Sequence, residues 1–362
     1  MAELEKIFKA AVSFKASDIH VSPGEPYMLR QFGRLRKVQG EQLSPEKCRE
    51  LIFEILTEAQ REKLMHDLQL DFAVEVPGLG RFRGSAMMHR VGLSASFRAI
   101  PPRIPSLAEL GLPPVVERVL DNHQGLILVT GATGQGKSTS LAAMTDYINT
   151  NRAHHILTVE DPIEFIHPLK KGVVNQRQLG KDTLSYANAL RGALREDPDA
   201  IMIGELRDLA TISLAISAAE TGHLVIGTLS TSSAAKTVDR IIDSFPPGEQ
   251  SQIRAMVSES LKAVITQRLI PGADGKKMVL AVEILIGTLP VANLIRDAKT
   301  FQIQSLMQTG KNIGMQLMDE SILALLQGGK ITAREAYLNA VNKTRFQTFL
   351  DKEMQQPAQQ KA

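Results

Sequence analysis

Eight consecutive residues, Gly131-Ala132-Thr133-Gly134-Gln135-Gly136-Lys137-Ser138, combine glycines, an ammonium and a hydroxyl at a spacing suited to holding phosphate. The glycines let the backbone turn so that successive N–H groups converge on anionic oxygens. The N-terminus of a following helix adds about half a unit of positive charge. Lys137 is then placed for the β- and γ-phosphates of a nucleoside triphosphate such as ATP, and the Ser138 hydroxyl for Mg²⁺. An apolar run, Leu126 to Val129, precedes the loop and a helix is predicted from Ser138. That strand-loop-helix context separates a phosphate site from an ordinary glycine-rich turn. The predicted nucleotide-binding set is therefore Gly131, Ala132, Thr133, Gly134, Gln135, Gly136, Lys137, Ser138 and Thr139.

Two acidic segments follow and point to hydrolysis as well as binding. One is Thr158-Val159-Glu160-Asp161-Pro162-Ile163-Glu164; the other is Ile201-Met202-Ile203-Gly204-Glu205. Ligands of open α/β sheets sit at the carboxyl ends of strands, so both segments deliver carboxylates toward the nucleotide. One acid can orient or deprotonate the attacking water, and another can hold Mg²⁺ through its waters. Isolated acids at strand ends also serve as helix caps, but this chain order after a phosphate loop favours the catalytic reading.

The elements that must position these residues are legible in the hydrophobic pattern. Apolar runs at Leu126 to Val129, Ile156 to Val159, Ala200 to Ile203 and Leu224 to Leu229 alternate with helical stretches, as in a parallel sheet covered on both faces. Residues 1–100 read differently, as a small α+β domain. An amphipathic helix opens it, then the extended stretch Ser17 to Val21, then a helix over Glu58 to Asp67 announced by the capping pair Thr57 and Gln60. Strands over Leu70 to Val76, Arg81 to His89 and Leu93 to Arg98 are separated by hairpin connections. Pro101-Pro102-Arg103-Ile104-Pro105 marks a boundary, because proline removes donors and keeps its predecessor extended. The expected division is residues 1–100, a linker over 101–116, and an ATPase domain over 117–362. The last of these becomes helical from about Pro290, for example over Met315 to Leu326, and ends in a disordered tail over Gln355 to Ala362.

Composition narrows the alternatives. Among 362 residues, 42 basic side chains nearly balance 39 acidic ones, and aromatics make up 4% with no tryptophan. A nucleic-acid translocase on the same ATPase fold would be expected to show a basic groove and stacking platforms, so nucleic acid is not an expected partner. Cys48 stands alone, which excludes an internal disulfide and a cysteine-rich zinc site and suits a reducing compartment. The N-terminal segment is interrupted by charges, unlike an export signal. No stretch approaches the roughly 20 apolar residues of a membrane-spanning helix, so membrane association is expected only through a partner.

Taken together, these segments resemble the secretion ATPases, and within them the PilT-like and PilU-like retraction ATPases of type IV pili. The resemblance runs from Ser17-Asp18-Ile19-His20 through the phosphate loop and Glu160 to Glu164. It continues with Gly204-Glu205-Leu206-Arg207-Asp208 and Ala219-Glu220-Thr221-Gly222-His223-Leu224. It implies an N-terminal PAS-like α+β domain, a RecA-like α/β ATPase domain and a homohexameric ring. That ring would be cytoplasmic, acting on an inner-membrane pilus platform protein, with a paralogous retraction ATPase as a further partner. It further implies Glu164 as catalytic base, Glu205 as the acid that serves the metal, His223 as a nucleotide-sensing histidine, and Arg81, Arg83 and Arg98 as arginines that reach the phosphates. Two departures stand out. The family's Thr-Leu-His-Thr segment reads Thr228-Leu229-Ser230-Thr231 here, replacing an imidazole by a hydroxyl that takes up no charge near neutral pH. The retraction signature Ala-Ile-Arg-Asn-Leu-Ile-Arg-Glu survives in half, as Pro290 to Asp297, with Ala292 in place of an arginine. This segment, with Gly131 to Met144 and Gly314-Met315-Gln316, leans toward the PilU-like accessory motors. Extension and type II secretion ATPases resemble the chain as well, but typically carry a four-cysteine zinc motif that a single cysteine cannot supply.

Overall fold

A computed structural model describes residues 3–14, 16–31 and 34–355. The chain divides into two compact units: residues 1–104 with 161–166, and residues 105–160 with 167–362.

The first unit is built on β1 (Asp18–Val21), β2 (Met28–Gln31), β3 (Arg34–Lys37), β4 (Gln69–Val76), β5 (Gly80–His89) and β6 (Gly92–Ala99). They form one antiparallel sheet in the order β3-β2-β1-β6-β5-β4. Helices Glu3–Ser13, Pro45–Ile55 and Glu58–Asp67 belong to the same unit. Alternation along β5 sends Phe82 and Ala86 into the core while Arg81 and Arg83 point to the other face. Phe82 stacks on Phe8 with ring centroids 4.4 Å apart, and Phe8 and Phe72 both meet Phe97 edge-on. The Thr57–Gln60 capping box forms as the sequence predicts: the Gln60 side chain accepts from the Thr57 backbone N–H at 3.0 Å, and the Thr57 hydroxyl accepts from Gln60 N–H at 3.4 Å. Strand β3 is exposed along its whole length and carries no alternation to read in the sequence.

The second unit holds β7 (Gly125–Thr130), β8 (His155–Glu160), β9 (Val173–Gln178), β10 (Ala200–Ile203), β11 (Leu224–Leu229), β12 (Leu261–Pro271) and β13 (Met278–Ile286). Their order is β13-β12-β7-β11-β10-β8-β9, parallel throughout except for the antiparallel β12–β13 hairpin. The four apolar runs seen in the sequence are β7, β8, β10 and β11. The first and last pairs of residues in the register place Gly125 opposite Leu224 and Thr130 opposite Leu229. Strands β7, β10 and β11 are buried along their whole length, as helix-covered parallel strands must be.

Much of the stretch expected as a linker over 101–116 is structured. Ser106 caps a short helix, Leu107–Leu110, through a second capping box, and Val115–Leu120 follows; both belong to the second unit. Leu107, Val115 and Val116 are buried there, which outweighs the proline signal. The C-terminal region is helical from Leu289 onward, and the helix expected over Met315 to Leu326 runs from Met318 to Gln327. Its start is delayed because Gln316 instead pairs with Ile284 of β13. Of the tail expected over 355–362, Gln355 closes the helix Thr344–Gln355 and the rest lies outside the described residues.

Candidate nucleotide site

The phosphate loop leaves the end of β7 and enters the helix Lys137–Asn151. Gly131, Gly134 and Gly136 adopt φ values of 142°, 81° and 81°, a region that side chains disfavour. At Gly131 the need is also one of space, since a Cβ there would stand 2.6 Å from the Gln267 carbonyl oxygen of β12. The Gln135 side chain accepts from the Leu269 backbone N–H at 2.5 Å, a second tie from the loop to β12. A third lies one turn into the helix, where the buried Gln267 amide donates to the Ser140 hydroxyl at 2.5 Å.

Lys137 Nζ donates to the carbonyls of Gly131 at 2.7 Å and Ala132 at 3.1 Å, and reaches the Ser230 hydroxyl at 3.5 Å. Ser230 in turn lies 3.4 Å from Glu205 Oε1, whose other oxygen accepts from Arg207 Nε at 2.7 Å. Burial pulls the Lys137 ammonium below the usual lysine range, and the Glu205 carboxylate opposes that pull. Ser138 is exposed at the start of the helix. Three strand ends therefore converge: β7 supplies the loop and lysine, β10 leads to Glu205, and β11 leads to Ser230. Strand pairing fixes the convergence, and the Thr228 hydroxyl donates to the Gly204 carbonyl at 2.5 Å to lock the last two ends together. On β8, Glu160 accepts from Thr158 Oγ1 at 2.7 Å and from Gln176 Nε2 of the edge strand β9 at 3.1 Å.

The arrangement suits a triphosphate and its metal. The glycine cradle has no room for a side chain at Gly131, the ammonium is desolvated beside it, and an exposed hydroxyl and a carboxylate flank it. Ser138 and Glu205 would hold Mg²⁺, which usually keeps several waters and needs no cage of protein ligands.

His223, which the resemblance implies as a nucleotide sensor, lies away from the phosphate loop. It precedes β11 and sits beside the start of β7, where its carbonyl accepts from Gly125 N–H and its Nδ1 faces the Ala218 carbonyl at 3.1 Å. The phosphate loop leaves the opposite end of β7. Six strand residues at ~3.3 Å each put about 20 Å between them, so His223 does not touch this chain's own nucleotide site. His223 and Ser230 flank β11, which carries them to opposite ends of the strands.

In the first unit, Arg83 Nη1 donates to Glu164 Oε1 at 3.1 Å, and Arg81 donates to the Ile163 carbonyl at 2.9 Å and to Glu75 at 3.4 Å. The candidate base is thus brought together with two of the three predicted arginines. Arg98 does something else: its Nε donates to Asp18 Oδ1 at 2.8 Å, across the β1–β6 pair. The contribution of β12 has only a faint mark in the sequence, the polar trio Thr266-Gln267-Arg268 set between the apolar residues Ala263 to Ile265 and Leu269 to Ile270.

The type II/IV secretion system protein family matches residues 1–321 of the chain. A type IV pilus retraction ATPase of Pseudomonas aeruginosa, PilT, is 50% identical over 321 residues, covering 89% of this chain and 93% of that protein. The chain belongs to this family, in its pilus retraction ATPase branch. The type IV pilus ATPase PilU of the same organism is 39% identical over 338 residues, covering 93% and 88% of the two chains. The crystal structure of the pilus retraction motor PilT with bound ADP superposes with a TM-score of 0.85 at 43% identity, covering 96% of this chain and 99% of that one. The two-domain secretion ATPase architecture, with its RecA-like ATPase domain, is therefore the fold of this retraction ATPase. Its overall identity is greater to PilT than to PilU, against the lean of the Pro290 to Asp297 segment.

Proposed function

We propose that this chain is an ATP-hydrolysing motor that powers type IV pilus retraction. The observation that carries the reading is the union, at three strand ends, of Lys137, Ser230 and Glu205 in a chain half identical to a retraction ATPase over 89% of its length. In this reading Lys137 exchanges its loop carbonyls for the β- and γ-phosphates, and the loop N–H groups take the remaining phosphate oxygens. Glu164 accepts the proton of the attacking water. Ser138 and Glu205 would hold Mg²⁺, which when bound would supply charge neutralisation at the phosphate oxygens. Arg81 and Arg83 are the candidates for stabilising transition-state charge, a role worth about 10³ to 10⁵ in rate where an arginine fulfils it. The working particle is a homohexamer on the cytoplasmic face of the inner membrane, acting on a platform protein. Among the described residues no helix is long and apolar enough to cross a membrane, in keeping with attachment through that partner.

The test is Mg²⁺-dependent ATP turnover by the full chain. Lys137→Ala abolishes binding and turnover. Glu164→Gln abolishes turnover and still binds nucleotide, because an amide keeps the shape of the carboxylate but does not take a proton. Turnover surviving in both variants would sink the reading. A second reading, an accessory motor that needs a paralogous retraction ATPase, is favoured by Ser230 and Ala292. Supplying this chain alone to cells without the other motor decides between them: retraction excludes a purely accessory role.

A further inference from the structure

Glu283 lies on β13, is 8% exposed, and takes no part in the site described above. Burial pushes its carboxyl upward, opposed by the backbone N–H of Ala234, then by that of Met318 and by the nearby Arg268, while Asp319 adds to the rise. The Ala234 N–H donates to Oε1 at 2.8 Å. Both donors are the first residues of their helices, Ala234–Asp243 and Met318–Gln327. A single carboxylate thus meets the positive ends of two ten-residue helices, which is the charge arrangement such ends favour.

What those helices carry gives the contact its consequence. The first begins immediately after the loop Ser230 to Ser233, whose Ser230 bridges Lys137 and Glu205. That loop is also tied to the helix it precedes: Thr231 and Thr237 share a hydrogen bond at 2.7 Å, Thr237 donates to the Ser233 carbonyl at 2.7 Å, and the Ser233 hydroxyl accepts from Lys236 N–H at 3.4 Å. The second helix opens the C-terminal cluster and is fastened to the same strand on both sides of Glu283. Ile284 exchanges backbone hydrogen bonds with Gln316, and Val282 N–H donates to the Ser321 hydroxyl at 3.0 Å. Farther along, Asp319 accepts from Val341 and Asn342 N–H groups, which extends the link to the C-terminal helices.

We propose that Glu283 is a positioning residue for ATP turnover: it clamps the Ser230 loop and the C-terminal helices to one buried carboxylate, so that a shift of either is felt at the other. This rests on the ATPase reading above. An amide at position 283 has one acceptor oxygen, and its NH₂ group would confront the second helix N–H, so Glu283→Gln keeps the volume and releases one of the two helices.

The test uses the full chain, with ATP turnover, mant-ADP binding and amide hydrogen exchange measured on the same preparations. Glu283→Gln is expected to lower kcat about tenfold while mant-ADP affinity changes by less than about threefold, the signature of lost positioning without lost binding. Exchange should rise in residues 230–237 or 316–321. The effects of Ser230→Ala and Glu283→Gln should not add, because a loop already loosened gains little from its hydroxyl. Glu283→Asp, which keeps both acceptors on a shorter arm, should recover part of kcat. Additive losses, or wild-type turnover and exchange in Glu283→Gln, overturn the proposal. An unmodified chain that hydrolyses no ATP would sink the ATPase reading and the role in turnover together, whereas normal wild-type turnover with an additive cycle removes only the inference about Glu283.

Discussion

Gly131 shows how little freedom the site leaves at single positions. Its φ of 142° and the Gln267 carbonyl facing it each exclude a side chain, one by conformation and one by contact. Gly131→Ala should therefore weaken mant-ADP binding by about a hundredfold or more, since relieving the clash moves the loop off β12 and turns its N–H groups away from the phosphates. Binding within about threefold of wild type would show that the β12 contact is dispensable. Ser230 makes the complementary point. Its hydroxyl sits between an ammonium and a carboxylate at distances near the upper limit of a hydrogen bond, so it joins the two without carrying charge itself. The retraction ATPases' usual imidazole at this position would titrate there, and a serine does not.

At the scale of elements, strand ends decide which residues meet. Parallel pairing of β7, β10 and β11 gathers Lys137, Glu205 and Ser230 at the carboxyl ends of these strands and leaves His223 at the opposite end. The β12–β13 hairpin meets the phosphate loop at Leu269, the helix after it at Gln267, and the first residue of the helix after the Ser230 loop at Glu283. Local signals still matter for the elements that support the first unit. The capping box at Thr57 holds two otherwise orphaned donors at the start of Glu58–Asp67. Thr57→Ala should cost about 1 kcal/mol in urea unfolding while leaving ATP turnover intact. A loss of turnover at unchanged stability would place that helix in the working cycle.

For the molecule as a whole, acid is a distinct vulnerability. Burial pulls the His167 imidazole down to about 4, from an ordinary value of 6.5, and its Nδ1 is buried with no hydrogen-bond partner. Nearby Asp146 opposes the shift and Lys170 adds to it. The folded state prefers the neutral ring, so His167 contributes its full stability above pH 6.5 and loses it as pH falls toward 4. The largest loss is about 3 kcal/mol. His167→Gln should flatten the fall in Tm between pH 6.5 and 4 in thermal melts of the full chain. An unchanged slope would assign that acid sensitivity to other groups.

The sequence alone marked the phosphate loop, the acids that follow it, the four buried strands around them and a boundary at Pro101 to Pro105, because each is written in contiguous residues or in a short-range period. Its resemblance to the retraction ATPases also singled out Glu164, Glu205 and the arginines as candidates. Only the tertiary structure decided that Arg83 faces Glu164 while Arg98 faces Asp18, that His223 lies a strand length away from the phosphates, and that β12 and β13 hold both nucleotide loops. Those facts depend on which strands pair and in what direction, and pairing joins residues more than 80 positions apart that carry no local mark of one another.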